Sequence, residues 1–126
     1  MVIQFDLALA ELRGYRPDVP APADFDEFWQ ATLAELRQFP LAAEFTPFDS
    51  GLSQIEVYDV SFAGWNGSRV GAWLYLPAGV TDRLPIIIEY VGYTGGRGLA
   101  HENLLWSSAG YAHIVVDVSP NLSWLR

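Results

Sequence analysis

The residues best placed to do chemistry lie in a glycine-rich stretch that follows a short apolar run in the second half of the chain. Residues 84–90 are mostly apolar, too short for a buried helix and followed by glycines, which predicts a central strand covered on both faces. Gly92, Gly95 and Gly96 allow the backbone to turn sharply and to expose its N–H groups. Because open α/β sheets bind ligands at the carboxyl ends of their strands, this turn is the first candidate for a site.

Metal and phosphate sites are disfavoured by the spacing of the available residues. Residues 92–98 contain neither the Gly-Lys-Ser/Thr of a Walker loop nor the spacing of a dinucleotide fingerprint. His101 and Glu102 are adjacent, which prevents them from acting as a metal pair on a helix, and His113 stands alone in an apolar run. We expect no metal site, with His101 as a hydrogen-bonding residue at a helix end and His113 in the core. Asp117 follows a strand, where it either orients a group in the site or binds loop amides.

The elements before the sheet are predicted to be an arm, a helix and a connector. Residues 1–22 contain three prolines near their end, which favour an extended path over a surface. Asp24 begins a helix in the segment 23–39, with Glu27 in capping-box spacing. Its apolar stripe is expected to pack into a core. The stripe consists of Phe25, Phe28, Trp29, Leu33 and Leu36.

The elements that position the glycine-rich turn begin with a hairpin. Residues 55–62 and 69–76 read as two strands, and Asn66-Gly67 between them favours a hairpin turn with positive φ. After the apolar run, residues 101–109 are predicted to form a short helix and residues 111–117 a buried strand. A strand, helix and strand of this length imply a right-handed parallel crossover. The predicted fold class is α/β, with an antiparallel hairpin leading into parallel strands.

Several motifs resemble the acetyl xylan esterase / cephalosporin C deacetylase family of α/β hydrolases. The resemblance is collinear from about Phe5 to Asp117 and implies the N-terminal part of one such domain, with the sheet starting in residues 54–117. It also implies a serine nucleophile that deacetylates acetylated sugars or small acetyl esters such as cephalosporin C, without a metal or other cofactor. The motifs are Tyr90-Val91-Gly92-Tyr93, Gly95-Gly96-Arg97-Gly98-Leu99, His101-Glu102, Phe5-Asp6-Leu7, Tyr15-Arg16-Pro17, Pro22-Ala23-Asp24-Phe25-Asp26 and Phe28-Trp29.

The resemblance assigns one catalytic role within this sequence. The tyrosine matched by Tyr93 gives its backbone N–H to the family's oxyanion hole, and Gly92 and Thr94 are implied substrate-binding neighbours. One preorganised donor is worth roughly 3–4 kcal/mol in a transition state, but only beside a nucleophile. The alternative is that Gly92 and Tyr93 form only a turn. Val91 stands where many family members have histidine, which weakens any role for that side chain.

A nucleophile is missing from these 126 residues. An α/β-hydrolase esterase needs Gly-x-Ser-x-Gly, whose small residues let strand and helix pack closely while Oγ projects. The flanks of Ser53, Ser68 and the Ser107-Ser108 pair break this pattern. In the family, the serine, acid and histidine follow later than the position of Asp117, and residues 118–126 diverge from it. We therefore expect a truncated or frame-shifted chain that is inactive alone.

Composition limits the partners and the location. A net charge of −8 and 51% hydrophobic residues fit one globular unit that binds neither nucleic acid nor anionic membrane. The sequence has no cysteine, no signal-like start and no apolar run long enough for a bilayer, so a cytoplasmic location is expected. The arm or a sheet edge could support a homo-oligomer. Two alternatives to an esterase are a noncatalytic interaction subunit and a carbohydrate-binding module with stacking aromatics.

Overall fold

The computed structural model describes residues 6–92 and 95–118 of the chain. The chain divides into two units, residues 1–32 and 33–126. The first unit contains α1 (Leu9–Gly14) and the start of α2 (Phe25–Leu36). The arm predicted to lack regular structure therefore includes a short helix. The carboxylate of Glu11 accepts a hydrogen bond from the Ala8 N–H at 3.2 Å, which satisfies a backbone donor at the start of that helix.

Helix α2 lies within the predicted segment 23–39, and the Phe28 N–H donates to the carbonyl of Asp24 at 2.8 Å. The prediction that its apolar stripe packs into a core is wrong. Phe25, Phe28, Trp29 and Leu33 are 41–57% exposed. The Trp29 ring lies 5.5 Å from Phe28 and 6.3 Å from Phe25 in edge-to-face geometry, so the aromatics shield one another. A periodic stripe identifies one face of a helix but does not say what covers it.

The second unit is built on a mixed five-stranded sheet in the order β1-β2-β3-β5-β4. Strands β1, β2, β3 and β5 pair antiparallel in turn, whereas β4 and β5 pair parallel across the short helix α3. The predicted α/β class, hairpin and parallel pairing are confirmed. The elements are β1 (Glu44–Phe48), β2 (Ile55–Ala63), β3 (Arg69–Pro77), β4 (Ile86–Tyr90), α3 (Leu105–Ser108) and β5 (Ala112–Val116), with a 3-10 turn at Trp65–Gly67.

The hairpin turn between β2 and β3 has the backbone that its sequence demands. Asn66 has φ of 53° and Gly67 has φ of 72°, both in the left-handed region. Asparagine and glycine tolerate this region better than other residues, so the dipeptide fixes the turn. This turn also fixes the register of the two strands, in which Val57 lies opposite Tyr75 and Val60 lies opposite Ala72.

Strand β1 was missed because residues 41–53 were predicted to be a connector. Pro47, which suggested irregular structure, lies opposite Tyr58 on a strand at one edge of the described sheet. A proline is tolerated there because an edge strand has a backbone N–H that needs no partner within the sheet.

The prediction that residues 84–90 form a central, covered strand is wrong in position. In the part of the chain that the structure describes, β4 is the strand at the other edge, because β5 is inserted between β3 and β4. Ile86, Ile88 and Tyr90 are 51–67% exposed. Strand β5, which lies between β3 and β4, is buried, as predicted from its apolar sequence.

The core occupies both faces of β3 and β5. Tyr75, Trp73 and Val115 are buried on one face, and Ala72 and Val116 lie in a second buried cluster. Successive residues of a strand point to opposite faces, which explains how Ala72 and Trp73 enter different clusters. Trp73 and Tyr75 thus lie on a covered face of the sheet.

The position of Val115 gives a test of the core. Its side chain is 1% exposed, whereas that of Val80 is 46% exposed on a loop. We expect Val115→Ala to lower the free energy of unfolding by about 2 kcal/mol, from lost burial plus the cavity left behind. Val80→Ala is the matched control and should change it by less than about 0.5 kcal/mol. Chemical denaturation followed by circular dichroism measures both, and equal effects would contradict the assigned core.

A second test uses pH. Burial raises the pKa of the Tyr75 phenol above its ordinary value. The folded state therefore resists ionisation while the unfolded state ionises near pH 10, so this group's stabilisation is present below about pH 10 and is lost as pH rises. The sequence contains no lysine, so tyrosines dominate titration in this range. Between about pH 9 and 11, we expect stability to fall less in Tyr75→Phe than in the unchanged chain. Urea unfolding of the two chains at each pH measures this difference, and an equal fall in both would contradict the burial of Tyr75.

Candidate functional site

The candidate site lies in the loop that joins β4 to α3, residues 91–104, hereafter the glycine loop. The Val91 N–H donates to the carbonyl of Val116 at 3.3 Å, which continues the pairing of β4 with β5 by one residue. Gly92 follows this last pairing, and the Gly95 N–H donates to the carbonyl of Gly92 at 3.0 Å, which closes a turn. Tyr93 and Thr94, the predicted oxyanion donor and its neighbour, lie outside the described residues. Gly92 and Gly95, their neighbours in sequence, lie beyond the carboxyl end of β4.

The carboxyl end of β5 lies beside the same loop. The Asp117 N–H donates to the carbonyl of Gly71 at 2.8 Å, which holds the residue against β3. A methyl group built on Gly96 would lie 3.9 Å from Oδ2 of Asp117. The structure thus places Asp117 next to the glycine loop, so the carboxyl ends of the two parallel strands meet as the topology requires.

Arg97 makes the closest polar contacts between the glycine loop and the sheet. One guanidinium nitrogen donates to Oδ1 of Asp59 at 2.6 Å and to the carbonyl of Ala72 at 2.7 Å. The guanidinium carbon lies 4.0 Å from the centre of the Trp73 ring, in cation–π geometry. Sequence reasoning gave Arg97 no role, although an arginine among glycines in the motif was a signal that a charge is needed there.

Trp73 and Tyr75 hold the next part of the loop through their polar atoms. The indole N–H of Trp73 donates to the carbonyl of Gly98 at 2.9 Å. The Tyr75 hydroxyl donates to the carbonyl of Leu99 at 3.4 Å. Both aromatic residues are buried on β3. These two hydrogen bonds therefore hold the loop against β3, inside the sheet.

Glu102 closes a turn within the loop. Its carboxylate accepts a hydrogen bond from the Leu99 N–H at 2.7 Å. The same carboxylate occupies the space that a side chain at Gly98 would need, and Gly98 has φ of 69°. Both the close approach and the left-handed backbone require glycine there. Glu102 is thus used structurally, and nothing pairs it with His101 as a metal ligand.

The two histidines have different surroundings. His113 is buried, as predicted, and its Nδ1 lies 3.1 Å from the carbonyl of Asn103, which can only accept, so Nδ1 donates. Its Nε2 lies 3.3 Å from Oε2 of Glu89 but not in hydrogen-bond geometry, and the contact is an ion pair only when His113 is protonated. His101 was expected at a helix end, but α3 begins at Leu105 and His101 is exposed in the preceding turn.

Helix α3 carries two adjacent serines, Ser107 and Ser108. The Ser107 Oγ–H donates to the carbonyl of Leu104 at 3.1 Å, a bond within the helical turn, and the side chain is buried. Ser107 and Ser108 line an open cleft of about 430 Å³ with Pro77, and another of about 290 Å³ is lined by Phe48 and Tyr58. Both clefts are lined by residues outside the glycine loop.

Among residues 6–92 and 95–118, no group of three or more His, Cys, Asp or Glu side chains is arranged to hold a metal ion. In the same residues, no helix is long and apolar enough to cross a bilayer.

The sequence and the structure match acetyl xylan esterases. The family model described as acetyl xylan esterase (AXE1) matches residues 1–121. The acetyl xylan esterase from Paenibacillus sp. R4 is 36% identical with a TM-score of 0.83, over 89% of this chain and 36% of that one. Acetyl xylan esterase 1 from Thermoanaerobacterium sp. JW/SL YS485 is 32% identical with a TM-score of 0.78, over 91% of this chain and 36% of that one. The chain spans about a third of the length of these relatives. These matches confirm the resemblance carried by the motifs: the chain belongs to the acetyl xylan esterase family.

Proposed function

We propose that this chain supplies the oxyanion-binding loop of a serine esterase that deacetylates acetylated carbohydrates or small acetyl esters, cephalosporin C being one ester of that class. The observation that supports this most strongly is the anchoring of the glycine loop. A loop that leaves the carboxyl end of β4 is fixed to the sheet by Arg97, Trp73 and Tyr75. An oxyanion hole needs such preorganised donors, because donors that reorganise during the reaction stabilise less charge.

The backbone N–H of Tyr93 is the proposed donor, with Gly92 and Thr94 beside the bound ester. Attack on the acetyl carbonyl converts it to a tetrahedral intermediate whose oxygen carries negative charge. A donor aimed at that oxygen stabilises the transition state by roughly 3–4 kcal/mol. No side chain at positions 92–94 takes or gives a proton in this scheme, so the loop contributes binding and electrostatics alone.

The nucleophile and its base are proposed to come from polypeptide that corresponds to the remainder of the related enzymes. The sequence contains no Gly-x-Ser-x-Gly elbow, and Ser107 is occupied by a hydrogen bond within its own turn. An oxyanion donor lowers a barrier only when a nucleophile attacks beside it. The 126-residue chain alone is therefore proposed not to hydrolyse esters.

A second candidate function, a noncatalytic interaction subunit, is favoured by the exposure of β4. Ile86 and Ile88 are more than half exposed on a strand with a described neighbour on one side only. Strands of this kind pair readily with another chain. This candidate predicts a stable complex of fixed stoichiometry and no contribution to ester hydrolysis.

The esterase proposal is tested by joining the chain to a relative. We expect the 126-residue chain to give no turnover of a chromogenic acetyl ester, and a hybrid to give turnover that a serine-directed inhibitor abolishes. In the hybrid, this chain replaces the matching segment of the acetyl xylan esterase from Paenibacillus sp. R4, to which it is 36% identical.

Two controls make that result decisive. The rest of the Paenibacillus enzyme, prepared without this chain, reports any activity of that part alone. Circular dichroism with gel filtration reports whether the hybrid is folded. Inhibitor-sensitive turnover by the 126-residue chain itself would contradict the absence of a nucleophile. A folded hybrid without turnover would contradict the esterase proposal and favour the interaction subunit.

Two adjacent glycines give a finer test in the active hybrid. A Cβ at Gly95 would lie 3.1 Å from the carbonyl oxygen of Gly92, closer than side chains normally approach, whereas at Gly96 the nearest atom is 3.9 Å away. We expect Gly95→Ala to lower kcat about tenfold, because moving the Gly92 peptide misaligns the donor that follows it. Gly96→Ala should cost clearly less. Equal effects would place the donor elsewhere.

A further inference from the structure

We propose that Arg97 is a positioning residue that fixes the oxyanion-binding part of the glycine loop through Asp59, the carbonyl of Ala72 and the face of Trp73. The inference rests on the proposed function of the loop and adds the residue that holds it in place. Arg97 lies outside the reaction itself, because its guanidinium is directed at the sheet and not at the turn that carries Gly92.

The order of the loop's contacts along the sequence supports this role for Arg97. Between Thr94 and Arg97 there are only two glycines, which have no side chains with which to bind the sheet. The anchors made by Trp73 and Tyr75 act on Gly98 and Leu99, later in the loop. Arg97 is therefore the first described side chain after the predicted donor that ties the loop to the sheet.

The atoms that receive Arg97 belong to paired strands in the interior of the described sheet. Ala72 is completely buried and pairs with Val60 on one side and Val116 on the other. Asp59 lies opposite Trp73 in the middle of the β2–β3 ladder. The guanidinium contacts both strands and stacks on the indole. Displacement of the loop would therefore break a hydrogen bond within an ion pair, a charge-assisted hydrogen bond to a carbonyl and a cation–π contact together.

Arg69 provides a matched control within the same sheet. Like Arg97 it binds a carboxylate and a backbone carbonyl, here Glu44 at 3.4 Å and Ala42 at 2.8 Å. Its side chain is 42% exposed, against 22% for Arg97, and it is the first residue of β3. Arg69→Ala and Arg97→Ala each remove one arginine and one ion pair, but only Arg97→Ala removes contacts between the glycine loop and the sheet.

The first experiment uses the full chain and hydrogen exchange read by mass spectrometry. Backbone amides of residues 95–99 are expected to exchange at least about tenfold faster in Arg97→Ala than in the unchanged chain, because local opening of the loop costs less. The same amides in Arg69→Ala should exchange as in the unchanged chain. Equal loop exchange in the two variants would overturn the inference.

The second experiment separates positioning from general stability in the hybrid enzyme. We expect Arg97→Ala to lower kcat about tenfold with KM changed less than about twofold, since a misaligned donor affects the transition state and not ester binding. Arg97→Lys should recover most of kcat, because an ammonium has donors for both Asp59 and the Ala72 carbonyl. Arg97→Gln, which lacks the charge, should not. Unchanged kcat, or a rise in KM alone, would overturn the inference.

The outcomes distinguish this inference from the function on which it rests. A folded, unsubstituted hybrid without turnover overturns the proposed function and the catalytic part of this inference with it. An active hybrid that keeps its kcat after Arg97→Ala overturns the positioning role alone. If the hybrid does not fold, the exchange comparison on the full chain decides: faster exchange confined to Arg97→Ala supports the role, and equal exchange overturns it.

Discussion

The guanidinium of Arg97 is the contact on which the candidate site depends. A glycine-rich loop is free to turn, but that freedom opposes the fixed donors that stabilisation of an oxyanion requires. Arg97 resolves the conflict by donating to Asp59 at 2.6 Å and to the Ala72 carbonyl at 2.7 Å while covering Trp73. A partly buried cation is costly without partners. The guanidinium is therefore stable in this position only when the Asp59 carboxylate, the Ala72 carbonyl and the Trp73 ring surround it.

Much of this architecture follows from local sequence. Asn66-Gly67 predicted a turn with positive φ, and the strands that it joins pair as expected. The apolar run around His113 predicted a buried strand, since β-branched residues without alternation suit a strand covered on both faces. The motif around Gly92 predicted a site at the carboxyl end of a strand; Gly92 does follow β4, and the site itself stays a prediction.

What sequence could not supply was the position of elements relative to one another. Residues 86–90 are as apolar as those of β5, but the crossover places them at the edge of the described sheet, which no local pattern encodes. Strand β1 was not predicted because it contains Pro47, and a proline is tolerated in a strand mainly at the edge of a sheet. Arg97 and Asp59 are 38 residues apart in sequence, so their pairing emerges only when the loop folds back over β2.

The central claim, that the loop after β4 binds an oxyanion, is tested most directly by a crystal structure of the hybrid esterase inhibited with a phosphonate. The phosphonyl oxygen stands in for the oxyanion of the tetrahedral intermediate. We expect the phosphonyl oxygen to lie about 2.7–3.1 Å from the backbone nitrogen of Tyr93, with Arg97 still bound to Asp59. A phosphonyl oxygen directed away from the glycine loop, with its donors supplied wholly by other residues, would contradict the account.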